Sequence, residues 1–182
     1  MGNSNKRRGD RAEREALTLL CQIAPDLLVP RPQRLLGAGR REDAGDLWVL
    51  PNVTVQVKHR ADPAQAIRIA ADAAAVQARR AGCHFALGLV PIPRARHSAV
   101  RWVACSATWP VLVNAAEFRS VTRALAHVRR DEASTGPRDQ RVAVVDRGQT
   151  AALYVATLEA WLHAYRRANR AARPFMGPDR PG

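Results

Sequence analysis

Lysine is the scarcest charged residue in this chain of 182 residues: of 29 basic side chains, only Lys6 and Lys58 are not arginine. Acids are also short, with 16 Asp and Glu against those 29, and the balance is a net charge of +13. No apolar run reaches the roughly 18 residues of a membrane-crossing helix. The opening "MGNSNKRRGDRAERE" lacks the apolar centre of a signal peptide, and Lys6 stands where a myristoylation signal needs Ser or Thr. A cytoplasmic protein without a membrane partner is therefore expected. The three cysteines, Cys21, Cys83 and Cys105, are odd in number and show no CxxC spacing. That speaks against a disulfide framework or a zinc site, and they read as small core residues. No internal repeat is visible.

What is present suits one ordinary domain with a sizeable core: 47% hydrophobic and 25% charged residues. The positive surplus favours a polyanionic partner, nucleic acid before an anionic membrane surface. An Ala- and Arg-rich, Lys-poor composition is also what a GC-rich genome writes. Coding bias cannot create the surplus, because Asp and Glu were free to balance it. It also makes Lys58, in the middle of "GDLWVLPNVTVQVKHR", stand out. A compact ammonium can approach a phosphate or a water where a guanidinium fork cannot.

Residues 9–22, "GDRAEREALTLLCQ", have helical spacing, with Leu17, Leu20 and Cys21 on one stripe. Extending the stripe back by one turn reaches Glu13, whereas Glu15 lines up with Thr18 and Gln22 on the polar side. Glu13 is then either an inward carboxylate that needs a partner or a first-turn acid favoured by the helix dipole. "LLVPRPQRLL" reads as an edge-type first strand. In residues 53–59 Val53, Val55 and Val57 alternate with Thr54, Gln56 and Lys58, the period of a strand with one buried face. The preceding strand matches its faces only if Val49 lies across from Val53, leaving Leu50, Pro51 and Asn52 as the loop. Asp46 then faces Gln56, and Asp46, Gln56 and Lys58 share one side, which the helix bearing Glu13 is expected to cover. An ordinary solvated hairpin face is the bland reading of the same pattern.

Glu in a first helix, then Gly-Asp, then a hairpin ending in (D/E/Q)xK resembles the PD-(D/E)XK nuclease superfamily. More narrowly, "KRRGDRAEREALTLL" resembles the opening of archaeal-type Holliday junction resolvases. The resemblance extends over roughly residues 6–109, because "QARRAGCHFALGLV" and "VRWVACSATW" match the helix and strands that close that core. It implies a restriction endonuclease-like α/β core, a mixed central sheet flanked by helices, with a C-terminal helical extension. It also implies a metal-dependent, structure-specific DNA endonuclease, a Mg-dependent phosphodiester hydrolase that resolves four-way junctions as a homodimer. By position, Glu13, Asp46, Gln56 and Lys58 take the catalytic places. Asp46 is the central metal ligand, Gln56 offers its carbonyl and Glu13 extends the shell. Lys58 holds the nucleophile or stabilises developing charge. Mg2+ is the implied cofactor, with Mn2+ able to substitute on the same oxygen ligands.

Two features depart from the resolvase pattern. Gln56 replaces an acid, removing one negative charge from the metal site and weakening its hold on a cation. QxK members exist among nucleases resembling the Mrr restriction type, so a duplex-cutting nuclease of that kind is the first alternative. A catalytically inactive DNA-binding relative is the second. In addition, "LLGAGRREDAGD" lacks the serine that resolvases tend to carry there. Glu42 and Asp43 in that loop either add a carboxylate or are solvated.

DNA, branched in the favoured reading, would be held by Arg7, Arg8, Arg11, Arg34, Arg40, Arg41, Arg94 and Arg96 through backbone phosphates. His97, a lone loop histidine, is given no role. "PAQAIRIAADAAAVQARRAG" reads as a helix from Pro63 to the stop at Gly82, with Ile67, Ile69, Ala70, Ala74 and Val76 available for packing. A right-handed crossover then lays "HFALGLV" beside the hairpin. The expected division is a nuclease core over 1–109, an α/β extension packed on it over 110–173, and a disordered tail over 174–182. Within the extension, residues 110–132 read as a helix, "VAVVD" as a strand, and "TAALYVATLEAWLHAYRRANRAAR" as one amphipathic helix. Leu153, Leu158, Trp161, Leu162 and Tyr165 line its stripe. Its basic end, Arg166, Arg167, Arg170 and Arg173, either touches phosphate or is solvated.

Overall fold

Val53–Val57 is buried along its whole length, so the strand that carries the QxK residues is covered on both faces rather than one. The computed structural model of the protein describes residues 2–35, 45–92, 102–129, 141–148 and 150–172. The elements run α1 (Gly2–Ile23), a 3-10 turn (Pro25–Leu27), β1 (Gln33–Arg34), β2 (Leu47–Trp48), β3 (Val53–Val57), α2 (Pro63–Ala81) and β4 (Phe85–Pro91). They continue with β5 (Trp102–Ser106), β6 (Ala116–Phe118), α3 (Val121–Val128), β7 (Val142–Val145), β8 (Leu153–Thr157) and α4 (Leu158–Ala172). The described strands make one sheet in the order β1-β2-β3-β4-β5-β8-β7-β6. β3 and β4 pair in parallel, as do β6 and β7, and the other neighbours are antiparallel. The fold is thus α/β with a mixed sheet, as expected. Among the described residues no helix is long and apolar enough to cross a membrane.

Small side chains decide how closely the helices lie on this sheet. On α1 the buried residues are Ala12, Ala16 and Leu20, continued by Ala24, with Leu17 and Cys21 only flanking them. The buried stripe is therefore turned from the one expected, because alanines let the helix approach the strands more closely than leucines. It packs with Val53, Val55, Val57, Leu87 and Leu89, and α4 joins it through Trp161, Leu162 and Tyr165. A fully buried Val or Leu stabilises by roughly 1.5–3 kcal/mol. Lys6 belongs to α1.

α2 covers the other face. Asp62 caps it by accepting from the Ala64 N–H at 2.9 Å, Pro63 opens it, and Gly82 at φ 66° ends it. Its buried side is Ala66, Ile67, Ala70, Ala71, Ala74 and Ala78, while Val76 is exposed. Contact with β4 is so close that a Cβ on Gly88 would lie 2.8 Å from the Ala70 carbonyl carbon and 2.6 Å from Cys105 Sγ. Cys105 is fully buried, which pushes its thiol pKa up. It is the core residue expected.

The C-terminal segment differs from expectation in two places. Residues 110–120 are not helical: β6 pairs with β7, and the helix begins only after Ser120, whose hydroxyl accepts from the Arg123 N–H at 3.3 Å. Likewise the last helix begins at Leu158, because the Thr157 hydroxyl accepts from the Ala160 N–H at 3.1 Å. Leu153 is accordingly a core residue of β8, which pairs with β5, so residues beyond 110 extend the same sheet. The tail expected to be disordered lies outside the described residues.

Candidate functional site

Gly45 opens the site. Its φ is +111°, and a Cβ there would stand 2.7 Å from the Val55 carbonyl oxygen, so only glycine lets β2 approach β3 this closely. Leu47 pairs with Val55, the register that sets Val49 opposite Val53, and Asn52 turns the loop in the left-handed region at φ 55°. That register continued would put Asp46 across from Gln56. The Asp46 N–H instead bonds the Val55 carbonyl at 2.8 Å, while its own carbonyl accepts from Leu35 N–H at 2.9 Å. The offset turns the Asp46 carboxylate onto the end of β3. Its Oδ2 accepts from the Val57 N–H at 2.8 Å and lies 3.3 Å from Lys58 Nζ. Lys58 is held in turn through its N–H to the Leu89 carbonyl at 3.0 Å. The two side chains are 22% and 28% exposed, so the pair is reachable from solvent.

Gln56 lies under α2, only 2% exposed, and its amide nitrogen donates to Gln77 Oε1. That bond turns the amide nitrogen toward the helix.

Glu13 is placed differently from the expectation. α1 packs over the Val53, Val55 and Val57 side of β3, not over the Gln56 side, because its alanine stripe seeks the valine face. Glu13 Oε2 accepts from both Nε and Nη2 of Arg34, and Asp10 Oδ1 accepts from the same Nη2 at 3.0 Å. Burial draws the Arg34 pKa down, but bonding and charge from Glu13 and Asp10 outweigh it and hold the guanidinium above its ordinary value. Arg34 is adjacent to Leu47 across the β1–β2 ladder, so this cluster flanks the strand that carries Asp46. Of the sequence-derived candidates, then, Asp46 and Lys58 are in contact, Gln56 is tied to α2, and Glu13 is tied to β1.

Among the described residues no three His, Cys, Asp or Glu side chains gather as a metal-binding group. The donors at the hairpin are the Asp46 carboxylate and the Gln56 carbonyl. Such a set does not suit zinc, which takes three or four protein ligands, His or Cys foremost. It does fit Mg2+, which keeps several waters and binds through one or two carboxylates together with substrate phosphates.

Arg7, Arg8 and Arg11 are exposed on α1, with Arg11 also paired to Glu15 at 2.9 Å. Arg14, not among the expected contacts, is exposed on the same helix. Arg34 is only 16% exposed and its fork is filled by acids, so it is not a surface phosphate contact. Arg40, Arg41, Arg94 and Arg96 lie outside the described residues, with Glu42, Asp43, His97 and Arg173. Arg166 is bound to Asp26 at 2.7 Å, while Arg167 and Arg170 are exposed. Sequence reasoning missed Asp10 and Gln77 as partners. Asp10 stands three residues before Glu13, a spacing that puts both acids on one helix face and signals a shared cation. Nothing local marked Gln77. Comparison with protein-family models, with curated proteins and with solved structures gave no match.

Proposed function

We propose that this chain is a metal-dependent, structure-specific DNA endonuclease of the PD-(D/E)XK kind, with four-way junctions as the favoured substrate. The observation that carries the reading is the Asp46–Lys58 pair at the solvent-reachable end of a hairpin, 3.3 Å apart and backed by the Val57 N–H. A catalytic acid and ammonium brought to one point by a glycine-dependent offset are what phosphodiester hydrolysis requires, and an ordinary hairpin has no need of them. The order helix, hairpin, helix, strand, strand agrees with the restriction endonuclease-like core that the resemblance implies.

In this reading Asp46, with the Gln56 carbonyl as the resemblance implies, would hold Mg2+ or Mn2+. Glu13, which the resemblance would add to the shell, is engaged by Arg34 on the α1 face of the sheet and takes no part in this reading. Such an ion would supply positive charge for the transferring phosphate and lower the pKa of a water held beside it. The Val57 N–H fixes one Asp46 oxygen and so fixes the direction of the other. Lys58 brings positive charge beside the scissile phosphate and orients the nucleophilic water. Arg7, Arg8, Arg11 and Arg14 supply sequence-independent grip on backbone phosphates. By resemblance, the enzyme works as a homodimer that presents two sites to paired strands. Gln56 supports one alternative, an Mrr-like nuclease on duplex DNA. Its bond to Gln77 supports a second, a silent DNA-binding relative.

The test is cleavage of a synthetic four-way junction, a flap and a linear duplex with Mg2+ or Mn2+, and with EDTA as control. Metal-dependent cutting that favours the junction is expected. Asp46→Ala and Lys58→Ala should lose cleavage yet still bind DNA with a steep salt dependence. Equal cutting by wild type and Asp46→Ala overturns the assignment.

A further inference from the structure

We infer that Trp48 is a stacking surface for an unpaired or branch-point nucleobase, so that the neighbouring site takes DNA whose base stack is broken at the cut. This rests on the nuclease reading and names its substrate class. Of the four tryptophans, Trp102 and Trp161 are buried and Trp109 packs against the apolar cluster under β7, β8 and α4. Trp48 alone among them is exposed, at 39%.

Its direction follows from the strand. Leu47 is fully buried in the core beneath α1, so the next residue turns to the opposite face, the one that carries Gln56 and Lys58. α2 packs chiefly on β3, β4 and β5, and β2 lies beyond them toward the sheet edge. The indole therefore stands beside the helix rather than beneath it. It is two residues from Asp46, roughly 6.7 Å along the strand, which is within the span of one nucleotide. On the other side of the pair, His59 and Arg60 follow Lys58 and are both exposed.

A partly exposed aromatic ring on the same face as an acid–lysine pair, on a chain of charge +13, is suited to a ligand that is both anionic and flat. Nucleotides are both. Within a continuous duplex each base face is covered by its neighbours, so an indole can stack only where that sequence of faces is interrupted: a single strand, a frayed end or the centre of a junction. Stacking one base on an aromatic side chain changes affinity by roughly 5- to 150-fold. The ring thus selects open over closed DNA without reading sequence.

The experiment uses the full chain in EDTA, with oligothymidylate, a synthetic four-way junction and a linear duplex of the same length. Oligothymidylate and the junction are expected to quench tryptophan emission of the wild type, and Trp48→Phe should lose that quenching while keeping most of the affinity. Trp48→Ala should weaken binding of the two open substrates about tenfold more than binding of duplex. Equal weakening on all three, quenching that survives in Trp48→Phe, or a changed sedimentation coefficient for Trp48→Ala overturns the inference, the last by assigning the indole to contact between two copies. Quenching without metal-dependent cleavage on any substrate upholds the stacking surface and removes the nuclease reading. Junction cleavage by wild type with no substrate-dependent effect of Trp48→Ala removes the stacking surface and leaves the nuclease reading.

Discussion

Arg34, on the edge strand β1, and Lys58, at the end of β3 two strands further in, meet acids in opposite ways. The Arg34 fork is filled from two sides by Glu13 and Asp10, is 16% exposed, and joins α1 to β1. Lys58 meets a single oxygen of Asp46 at 3.3 Å, an oxygen that the Val57 N–H also uses, and more of it is open to solvent. The first cluster is closed: each charge is answered inside the protein, which is how a part-buried ion pair avoids an uncompensated charge. The second is open, with a carboxylate and an ammonium aimed at a place from which a ligand can be reached. Reactivity is expected from the open pair and stability from the closed one.

Asp46→Ala or Lys58→Ala should break this contrast most sharply. Junction cleavage falls by about 1,000-fold or more, which is about 4 kcal/mol of transition-state stabilisation. The thermal midpoint should move little for Lys58→Ala and fall modestly for Asp46→Ala, which leaves the buried Val57 N–H without its acceptor, and single-turnover cleavage beside a melting curve checks both. Gly45→Ala comes next, at about 3 kcal/mol of lost stability, because a positive φ is strained for alanine and the added carbon meets the Val55 carbonyl. Urea unfolding measures it, and activity should fall as well, since the offset that aims Asp46 depends on that close approach.

Arg34→Ala should destabilise by about 2 kcal/mol, a value discounted for partial exposure, because Glu13 loses the fork that answers its charge. Arg34→Lys should recover only part of this, as a single ammonium cannot bridge two carboxylates in the same geometry. Gln56→Glu sharpens the contrast from the other side, by placing at that position the acid that the resemblance implies. The metal concentration for half-maximal cleavage should drop by about tenfold, equivalent to about 1.4 kcal/mol. The smallest effect belongs to Asp26, which serves as an exposed control. A hydrogen bond from Arg166 is the main cause holding its carboxyl below the ordinary value. Its contribution is therefore present above the ordinary carboxylate range and lost as pH falls through the lowered folded-state value. Asp26→Asn should cost about 0.5 kcal/mol near neutral pH and flatten the acid side of the stability profile, as melting across a pH series would show.

Much of the hairpin was legible because one constraint has one solution. Alternating valines in residues 53–57 demand a strand, apolar Leu47 and Val49 must share their face, and only the Leu50–Asn52 loop satisfies both. The α2 boundaries were equally plain, since Asp62, Pro63 and Gly82 each have a local reason for their places. "LYVATLEAWL" was not legible as strand followed by helix, because its apolar residues satisfy either period and Thr157 looks like any other polar residue until its hydroxyl is seen capping Ala160. The face under α1 was misread for a related reason: leucines dominate a hydrophobicity pattern, whereas Ala12 and Ala16 dominate the close packing.

By itself the sequence determined the elements up to residue 109, the register of β2 on β3, the positive surplus, and the candidate acids and lysine, because each follows from spacing or counting along a local stretch. Only the tertiary structure decided that Glu13 answers Arg34, that Gln56 is bound to Gln77 and that Trp48 is left uncovered. Those outcomes depend on which face each helix takes and which contacts close across 21 positions of chain. Packing against a common sheet sets them, and no local pattern encodes that.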